Sequence, residues 1–393
     1  MTAPRLRSVQ VGMGWQLEEA GGLNRLFRAL SASMPGAGVE FVGLVAGSAR
    51  AEAESNGAVR AFAASRAPMW RRVLAARRRV RAAIASSAPT VLVSHFAPYG
   101  LSLLGAARRL PLVSYFHGPW AAESRNEGRG AFSHWLRQRI ERRVYTRSVA
   151  CIVLSRAFGD LLARDYGVRP ELIHVIPGGV DVARFASLPA RAEARRTLGW
   201  APDAPTVLCV RRLVKRTGVD RLVAAAALLK ARHPNARIMI AGDGPERAAL
   251  ASQAASLGLD GMVRFLGLIS EEELRLAYRA ADLTVVPTIA LEGFGLIVPE
   301  SLAAGTPCLV TPVGGLPEVV AGLSSNLVMR DATPESIAAA LGDAIAAPAS
   351  LPNAEQCATF ARARYDWPVI ARQVADLLRR VHAEHAGHSG RAP

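Results

Sequence analysis

The sequence has few features that indicate disulfides, a resident metal or a membrane span. Its four cysteines, Cys151, Cys209, Cys308 and Cys357, include no C-x-x-C pair, so we expect buried thiols in a reducing compartment. No run of about 18 apolar residues occurs, and we therefore predict no spanning helix. The N-terminal stretch MTAPRLRSVQVGMGW lacks an apolar signal core, which favours a cytoplasmic location.

Lysine is nearly absent, and the charge is distributed unevenly. Residues 1–200 contain 29 arginines, no lysine and 13 acidic residues, whereas residues 201–393 contain 19 basic and 19 acidic residues. The whole excess of +16 therefore lies in the first half. Such a field indicates an anionic partner: a membrane surface, a phosphorylated acceptor or nucleic acid. A compositional bias toward arginine explains the missing lysine, but it does not explain why only one half is unbalanced.

The length of 393 residues suggests two domains, and short β-branched runs alternate with helical patterns. Most of the runs are continuously apolar, as in parallel strands covered on both faces. We therefore predict an α/β fold with two doubly wound sheets, and a linker in the Pro/Ala/Arg-rich segment 188–205. The predicted strands after the first one cover residues 39–45, 90–94, 112–116, 150–154, 173–176, 206–210, 236–241, 263–265, 283–287 and 307–311.

The histidine-rich tail that begins at His382 is predicted to be frayed. Its H-x-x-H-x-x-H spacing also suits a metal, but a solvated tail is the more economical interpretation.

The most informative segment is LEGFGLIVPESLAAGTP, residues 291–307. It follows a predicted strand, its glycines let the backbone approach a ligand, and the N–H groups at the start of the next helix suit an anion. Glu292 and Glu300 can accept hydrogen bonds from sugar hydroxyls. The spacing of the two glutamates alone would equally fit a glycine loop with solvated carboxylates.

The complete string closely resembles the signature of the family 4 retaining glycosyltransferases. The resemblance implies the GT-B architecture, in which two Rossmann-like domains face each other across a cleft. It assigns Glu292 to hydroxyls of the donor sugar and Glu300 to the ribose, and it assigns the backbone of Phe294, Gly295 and Leu296 to the diphosphate and sugar. No D-x-D motif occurs, so we expect no metal and no other cofactor.

The resemblance continues at Val210–Asp220, which is similar to the family's diphosphate clamp, G-R-L-x-x-x-K-G. Arg212 matches the clamp arginine, but Thr217 stands where a lysine is usual. Positive charge is still needed because the diphosphate leaves as an anion. Lys215 or Arg216 is the expected replacement, and the sequence leaves open which one.

Other segments resemble the family less specifically. The turn containing Gly242 and the segment containing Arg264 and Phe265 resemble its donor-site turn and its nucleobase-reading strand. In the first half, the glycine pair Gly21 and Gly22 resembles the loop that lets donor phosphate and acceptor approach. His117, at the end of a strand, matches the histidine that lies over the donor sugar.

Residues 70–84 are predicted to form a basic helix, with an apolar stripe that includes Trp70 and Leu74. Arg71, Arg72, Arg78 and Arg79 are expected on the opposite face, toward an anionic membrane or acceptor. An ordinary surface helix fits the same pattern, whereas no nucleic-acid-binding motif accompanies the charge.

Together these features predict a glycosyltransferase with catalytic residues His117, Arg212 and Glu292. It would move a hexose-type sugar from a UDP- or GDP-sugar to a membrane-associated glycan or lipid, at the inner face of the membrane. The predicted domains are 1–190, completed by a helix at about 368–386, and 200–365. The alternatives are a transferase with a soluble acceptor and a non-catalytic nucleotide- or glycan-binding protein. Donor, acceptor and oligomeric state stay open.

Overall fold

The computed structural model of the chain describes residues 5–19, 21–85, 88–120 and 131–389. The chain forms two compact units. The first extends to Gly179 and resumes at Trp367, and the second runs from Val180 to Asp366. The boundary thus precedes the predicted linker, because residues 188–205 belong to the second unit and contain a helix, Arg191–Leu198. The basic excess follows the observed units: the first has 29 basic and 13 acidic residues, and the second has 19 of each.

The first unit contains a sheet of seven parallel strands in the order β3-β2-β1-β4-β5-β6-β7. Every residue of the central strands β4, β5 and β6 is buried, as expected from their continuous apolar runs. Strand β3 was not predicted, because its five residues alternate weakly and lie at the edge of the sheet. The strands are β1 (Arg7–Gly14), β2 (Glu40–Ala46), β3 (Val59–Ala63), β4 (Thr90–Ser94), β5 (Leu112–Phe116), β6 (Ala150–Val153) and β7 (Ile173–Val175).

The second unit contains a parallel sheet in the order β10-β9-β8-β11-β12. Each neighbouring pair in this order is parallel, so the connections are crossovers through helices. The strands are β8 (Thr206–Val210), β9 (Arg237–Ala241), β10 (Val263–Gly267), β11 (Leu283–Val286) and β12 (Cys308–Val310).

Helices cover both sheets. Those of the first unit are α1 (Gly22–Ser33), α2 (Arg50–Glu54), α3 (Met69–Ala83), α4 (Ala97–Gly100), α5 (Ala131–Tyr145), α6 (Arg156–Tyr166) and α15 (Trp367–Ser389). Those of the second unit are α7 (Arg191–Leu198), α8 (Val219–Lys230), α9 (Arg247–Ser256), α10 (Glu271–Ala280), α11 (Ile297–Ala303), α12 (Leu316–Val320), α13 (Pro334–Ala346) and α14 (Ala354–Tyr365). None of the helices in these described ranges combines the length and apolar character that a membrane crossing requires.

The C-terminal helix α15 is part of the first unit's core. Its Val374 and Leu378 pack with Phe27 and Leu30 of α1 in one buried cluster. The helix continues to Ser389, so the prediction of a frayed tail from His382 is wrong for the described part. It persists because Val381 is buried and His385 Nε2 lies 3.2 Å from the carbonyl oxygen of Arg109.

A buried arginine fixes helix α7 to the second sheet. Arg195 is 5% exposed, its Nη2 lies 2.6 Å from Oδ2 of Asp282, and its Nε donates to the carbonyl oxygen of Ala280 at 2.9 Å. The same carboxylate oxygen accepts the backbone N–H of Thr206 at the start of β8, at 2.7 Å. Helix, strand and the loop before β11 are thus joined through one carboxylate, whose Oδ1 also accepts a hydrogen bond from Nη1 of the more exposed Arg191 at 3.1 Å.

Replacing Arg195 with methionine leaves the Asp282 carboxylate without its buried partner. Because removing one member of a buried pair is costly and Asp282 is partly exposed, we expect the free energy of unfolding to fall by about 2–3 kcal/mol. Denaturant unfolding measures this change. The neighbouring Arg196→Met, which alters an exposed side chain of the same helix, is the matched control. Equal stability of the two variants would contradict the role assigned to Arg195.

Candidate active site

The turns that follow the strands of the second sheet are joined to one another at its carboxyl end. The backbone N–H of Ile289, after β11, donates to the carbonyl oxygen of Arg216, after β8, at 3.0 Å. The N–H of Gly315, after β12, donates to the carbonyl oxygen of Glu292 at 2.9 Å. The predicted clamp, the EGFGL segment and the loop at residues 314–318 are therefore neighbours in space.

Two glycines are required for these turns to approach so closely. Gly242 has a φ of 132°, and a Cβ there would lie 1.9 Å from the carbonyl oxygen of Arg211. Gly314 has a φ of 57°, and a Cβ there would lie 2.0 Å from the carbonyl oxygen of Glu292. Any side chain would push the neighbouring turn away, so both glycines act by excluding a side chain.

Glu292 is held by an arginine that the sequence analysis did not select. Its Oε2 accepts a hydrogen bond of 2.5 Å from Nη2 of Arg211, which also donates to Oγ1 of Thr288 at 2.7 Å. The side chains of Arg211 and Glu292 are only 9% and 15% exposed. Among the described residues, Oε1 of Glu292 has no hydrogen-bond partner, so this oxygen is available to a ligand.

The residue before Glu292 adopts an unusual backbone conformation. Leu291 has a φ of 52°, which lies in the left-handed region. This conformation is energetically unfavourable for a residue with a branched side chain. Its carbonyl oxygen accepts a hydrogen bond from Nη1 of Arg216 at 3.2 Å. Arg216, one of the two predicted replacements for the clamp lysine, thus contacts the EGFGL segment directly.

The other clamp residues divide into exposed cations and a buried threonine. Arg212 and Lys215 are exposed, and their side chains form no ion pair or hydrogen bond within the described part of the chain. Thr217 is 2% exposed, and its Oγ1 lies 2.6 Å from the carbonyl oxygen of Val214. Position 217 therefore serves the turn itself, while Arg212 and Lys215 are available to a ligand.

Glu300 and Phe294 are more buried than their predicted roles suggest. Glu300, in α11, is 3% exposed, and its Oε2 accepts a hydrogen bond from the Tyr278 hydroxyl at 2.9 Å. The ring of Phe294 is also buried and meets Tyr365 edge-on, with ring centroids 5.6 Å apart. The side chain of Phe294 therefore anchors the segment, and only its backbone is left for a ligand.

The other predicted donor residues of this unit lie in the segment before α11 and in strand β10. Gly295 has a φ of 77°, and Leu296 directly precedes helix α11. Within the described residues, the N–H groups of Phe294, Gly295 and Leu296 have no hydrogen-bond acceptor. Arg264 and Phe265 lie in the edge strand β10, where the arginine side chain is exposed and the ring is partly buried.

In the first unit, His117 follows β5 and belongs to a stack of rings. Its ring lies nearly parallel to Tyr115, with centroids 5.4 Å apart, and 5.8 Å from His95. His95 is buried, stacks on Tyr115 and shares a 2.7 Å hydrogen bond with Oε1 of Gln10. Burial lowers the pKa of His117 from its ordinary value of 6.5 to about 4, so the imidazole is neutral near pH 7. Its Nε2 is buried and has no partner among the described residues.

The glycine pair stands at the start of helix α1. Gly21 is extended, and a Cβ there would meet nothing within 4 Å. No described protein atom therefore requires a glycine at position 21, and the space in front of Gly21 is open among the described residues. Asn24, which the sequence analysis missed, accepts the N–H of Gly14 at 3.0 Å and donates to the carbonyl oxygen of Glu19.

Helix α3 is oriented differently from the prediction. Ala76 and Val80 form its buried side, whereas Trp70 and Leu74 are exposed, 61% and 49%, beside the arginines. Of the four predicted arginines, Arg71, Arg78 and Arg79 are exposed. Arg72 is partly buried, with its guanidinium carbon 5.6 Å from the centroid of the Tyr99 ring, so its assignment to the exposed face is wrong.

Comparisons with known proteins match both units of the chain to glycosyltransferases. The family description "Glycosyltransferase Family 4" matches residues 20–184, and "Glycosyl transferases group 1" matches residues 190–364. A D-inositol 3-phosphate glycosyltransferase of Catenulispora acidiphila is 35% identical over 228 residues, which cover 56% of this chain and 53% of that protein. A GDP-mannose-dependent phosphatidylinositol monomannoside mannosyltransferase of Mycolicibacterium smegmatis is 34% identical over 53% of this chain and 56% of that protein. The matched stretches thus span about half of these relatives.

A solved structure covers nearly the whole chain. HepE of Anabaena, determined with UDP, superposes with a TM-score of 0.76 at 20% identity, over 95% of this chain and 99% of that one. The chain belongs to the family 4 glycosyltransferases. The predicted α/β fold of GT-B type is confirmed.

The structure also brings side chains to the candidate site that no sequence motif indicated. Arg211 was passed over because Arg212 fits the clamp pattern, and its partner Glu292 lies 81 residues away in the sequence. His95 and Gln10 are 85 residues apart and meet only because β1 and β4 pair. Within the described residues, no group of three or more His, Cys, Asp or Glu side chains is arranged to hold a metal. The expectation that no metal is needed stays a prediction.

The lowered pKa of the partly buried His117 predicts that stability depends on pH. Its folded pKa of about 4 lies below the ordinary 6.5, so the unfolded chain takes up the proton first as the pH falls. Its contribution is complete above about pH 6.5 and is lost progressively toward pH 4. We expect His117→Gln to reduce the loss of unfolding free energy between pH 7 and pH 5 by roughly 1–2 kcal/mol. Urea unfolding at the two pH values measures this, and parallel losses in both proteins would contradict it.

Proposed function

We propose that the protein is a retaining glycosyltransferase that moves a hexose-type sugar from a UDP- or GDP-sugar to an acceptor at an anionic membrane surface. The observation that carries the proposal is the Glu292 carboxylate, with one oxygen held by Arg211 and the other available. Its segment is hydrogen-bonded to the turn that carries the exposed cations Arg212 and Lys215. A carboxylate beside unpaired cations fits a molecule that combines hydroxyl groups with a diphosphate.

The proposed reaction exchanges one bond to the anomeric carbon for another. The acceptor hydroxyl attacks from the face on which the diphosphate leaves, the bond from the anomeric carbon to the phosphate oxygen breaks, and the hydroxyl proton passes to that oxygen. Arg212 and Lys215 would stabilise the charge that develops on the leaving group. The contact of His117 with the donor sugar stays a prediction from the family resemblance; its imidazole is neutral near pH 7, and its Nε2 has no partner among the described residues.

Donor binding is tested by thermal unfolding with UDP, GDP and ADP. Because a ligand that binds only the folded state stabilises it by mass action, we expect one nucleotide at 100 times its Kd to add about 2.7 kcal/mol. We expect Glu292→Gln to bind that nucleotide normally but to lose at least about 100-fold in sugar transfer, since the glutamine keeps the shape and loses the charge. No shift with any nucleotide would contradict the proposal, as would undiminished transfer by the variant.

The acceptor side of the proposal rests on exposed aromatic side chains beside arginines in the first unit. In α3, Trp70 is exposed, and Arg71 lies over its ring at 5.1 Å. In α5, Trp135 is 51% exposed, stacks with Phe132 and has the Arg139 guanidinium over its ring. Amphipathic aromatic rings next to cations suit the headgroup region of an anionic bilayer. The mannosyltransferase relative is named for a phosphatidylinositol acceptor, which supports a lipid-linked substrate.

Vesicle sedimentation separates this proposal from a soluble acceptor. We expect the protein to pellet at low salt with vesicles that contain about 30% phosphatidylglycerol. For the double variant Trp70→Ser/Trp135→Ser we expect about tenfold weaker partitioning to the same vesicles. Leu268→Ser, which removes an 82% exposed side chain from the neutral second unit, is the matched control. Failure of the wild type to pellet would favour a soluble acceptor.

A further inference from the structure

We propose that Arg211 is a positioning residue for the donor sugar: it holds the Glu292 carboxylate so that one oxygen faces the sugar. This inference rests on the proposed function, because it assigns Glu292 to the donor. Arg211 is neither of the two clamp positions, Arg212 and Thr217, that the sequence analysis compared with the family.

The backbone of Arg211 is fixed by the neighbouring turn. Its N–H donates to the carbonyl oxygen of Ala241 at 2.9 Å, and its own carbonyl oxygen occupies the space that a side chain at Gly242 would need. The arginine therefore leaves the end of β8 in a single direction. Its guanidinium reaches the turn after β11, where Thr288 and Glu292 accept hydrogen bonds from the same Nη2.

Burial makes this contact more than a surface ion pair. Both side chains are less than a sixth exposed, so the two charges are largely shielded from water and salt. Nε of Arg211 is buried and lacks an acceptor among the described residues, a cost that needs a compensating interaction. The pair with Glu292 is the compensation that the geometry provides.

Thr217 supplies no positive charge at the position where the family usually has a lysine. The threonine is enclosed, and its hydroxyl lies within 2.9 Å of the carbonyl oxygens of Arg212 and Val214. Position 217 therefore contributes no charge. Without Arg211, the Glu292 carboxylate would lose the side-chain donor that holds it, and its second oxygen would no longer be fixed toward the sugar. With Arg211 the pair is neutral, and Arg212 and Lys215 keep their charges for the phosphates.

The test compares nucleotide with nucleotide sugar, because Glu292 is assigned to the sugar alone. The probes are UDP with UDP-glucose, or GDP with GDP-mannose, whichever nucleotide raises the Tm of the wild type. For Arg211→Gln we expect affinity for the nucleotide sugar to fall by about 10- to 100-fold, and affinity for the free nucleotide to change by less than about threefold. Isothermal titration measures both.

Three variants serve as comparisons. Arg211→Lys keeps the buried positive charge but loses the planar guanidinium. We therefore expect it to lose affinity for the nucleotide sugar and not for the free nucleotide, as Arg211→Gln does. Arg212→Gln is expected to weaken both ligands alike, because a phosphate contact is common to them. Arg232→Gln, an exposed arginine of the same unit with no ion pair among the described residues, is expected to change neither.

Each result decides the question. If Arg211→Gln/Glu292→Gln binds the nucleotide sugar no worse than either single variant, the two residues act as one unit, as proposed. Equal losses for nucleotide and nucleotide sugar in both Arg211 variants would make Arg211 a phosphate ligand instead. A lower Tm with unchanged affinities would leave it a structural residue only. A wild type that binds none of the probes would overturn the proposed function rather than this inference.

Discussion

The close approach of the turn after β12 to the carbonyl oxygen of Glu292 is the constraint on which the second unit's candidate site depends. Gly314 leaves no room for a side chain at that point, and the N–H of Gly315 completes the contact. The carbonyl of Glu292 is thereby fixed, and its side chain can point only where the neighbouring turns allow. The strained φ of Leu291 is then a consequence of closing the segment between β11 and this contact.

A fixed backbone beside a buried carboxylate needs a fixed counter-charge. Lysine would supply a point charge at the end of a flexible stem, whereas the guanidinium of Arg211 presents several donors in one plane. One nitrogen of that plane, Nη2, donates to both Thr288 and Glu292. The scarcity of lysine in this chain is therefore compatible with a fixed site, because the cation that holds Glu292 is an arginine.

What the sequence could predict follows from how local each signal is. Strands β4, β5 and β8 were predicted to the residue, because each is a continuous apolar run with clear ends. The EGFGL segment was found because its residues are adjacent. Arg211 and His95 escaped notice because their partners are distant in sequence and are brought near only by strand pairing. Arg72 was misplaced because a helical projection treats every charge as outward, whereas the face of Tyr99 accepts a guanidinium.

The arginines of the two units differ in burial and therefore in role. In the second unit, which has no net charge, the side chains of Arg195 and Arg211 are largely buried and paired with Asp282 and Glu292, so their charges fix geometry. In the first unit, the exposed arginines of α3 have no ion-pair partners among the described residues and stand beside exposed Trp70. Unpaired cations do not stabilise a fold, and an exposed tryptophan does not either. A surface that combines both is a candidate binding surface, and this is the basis for proposing that the excess charge of +16 serves the acceptor rather than the fold.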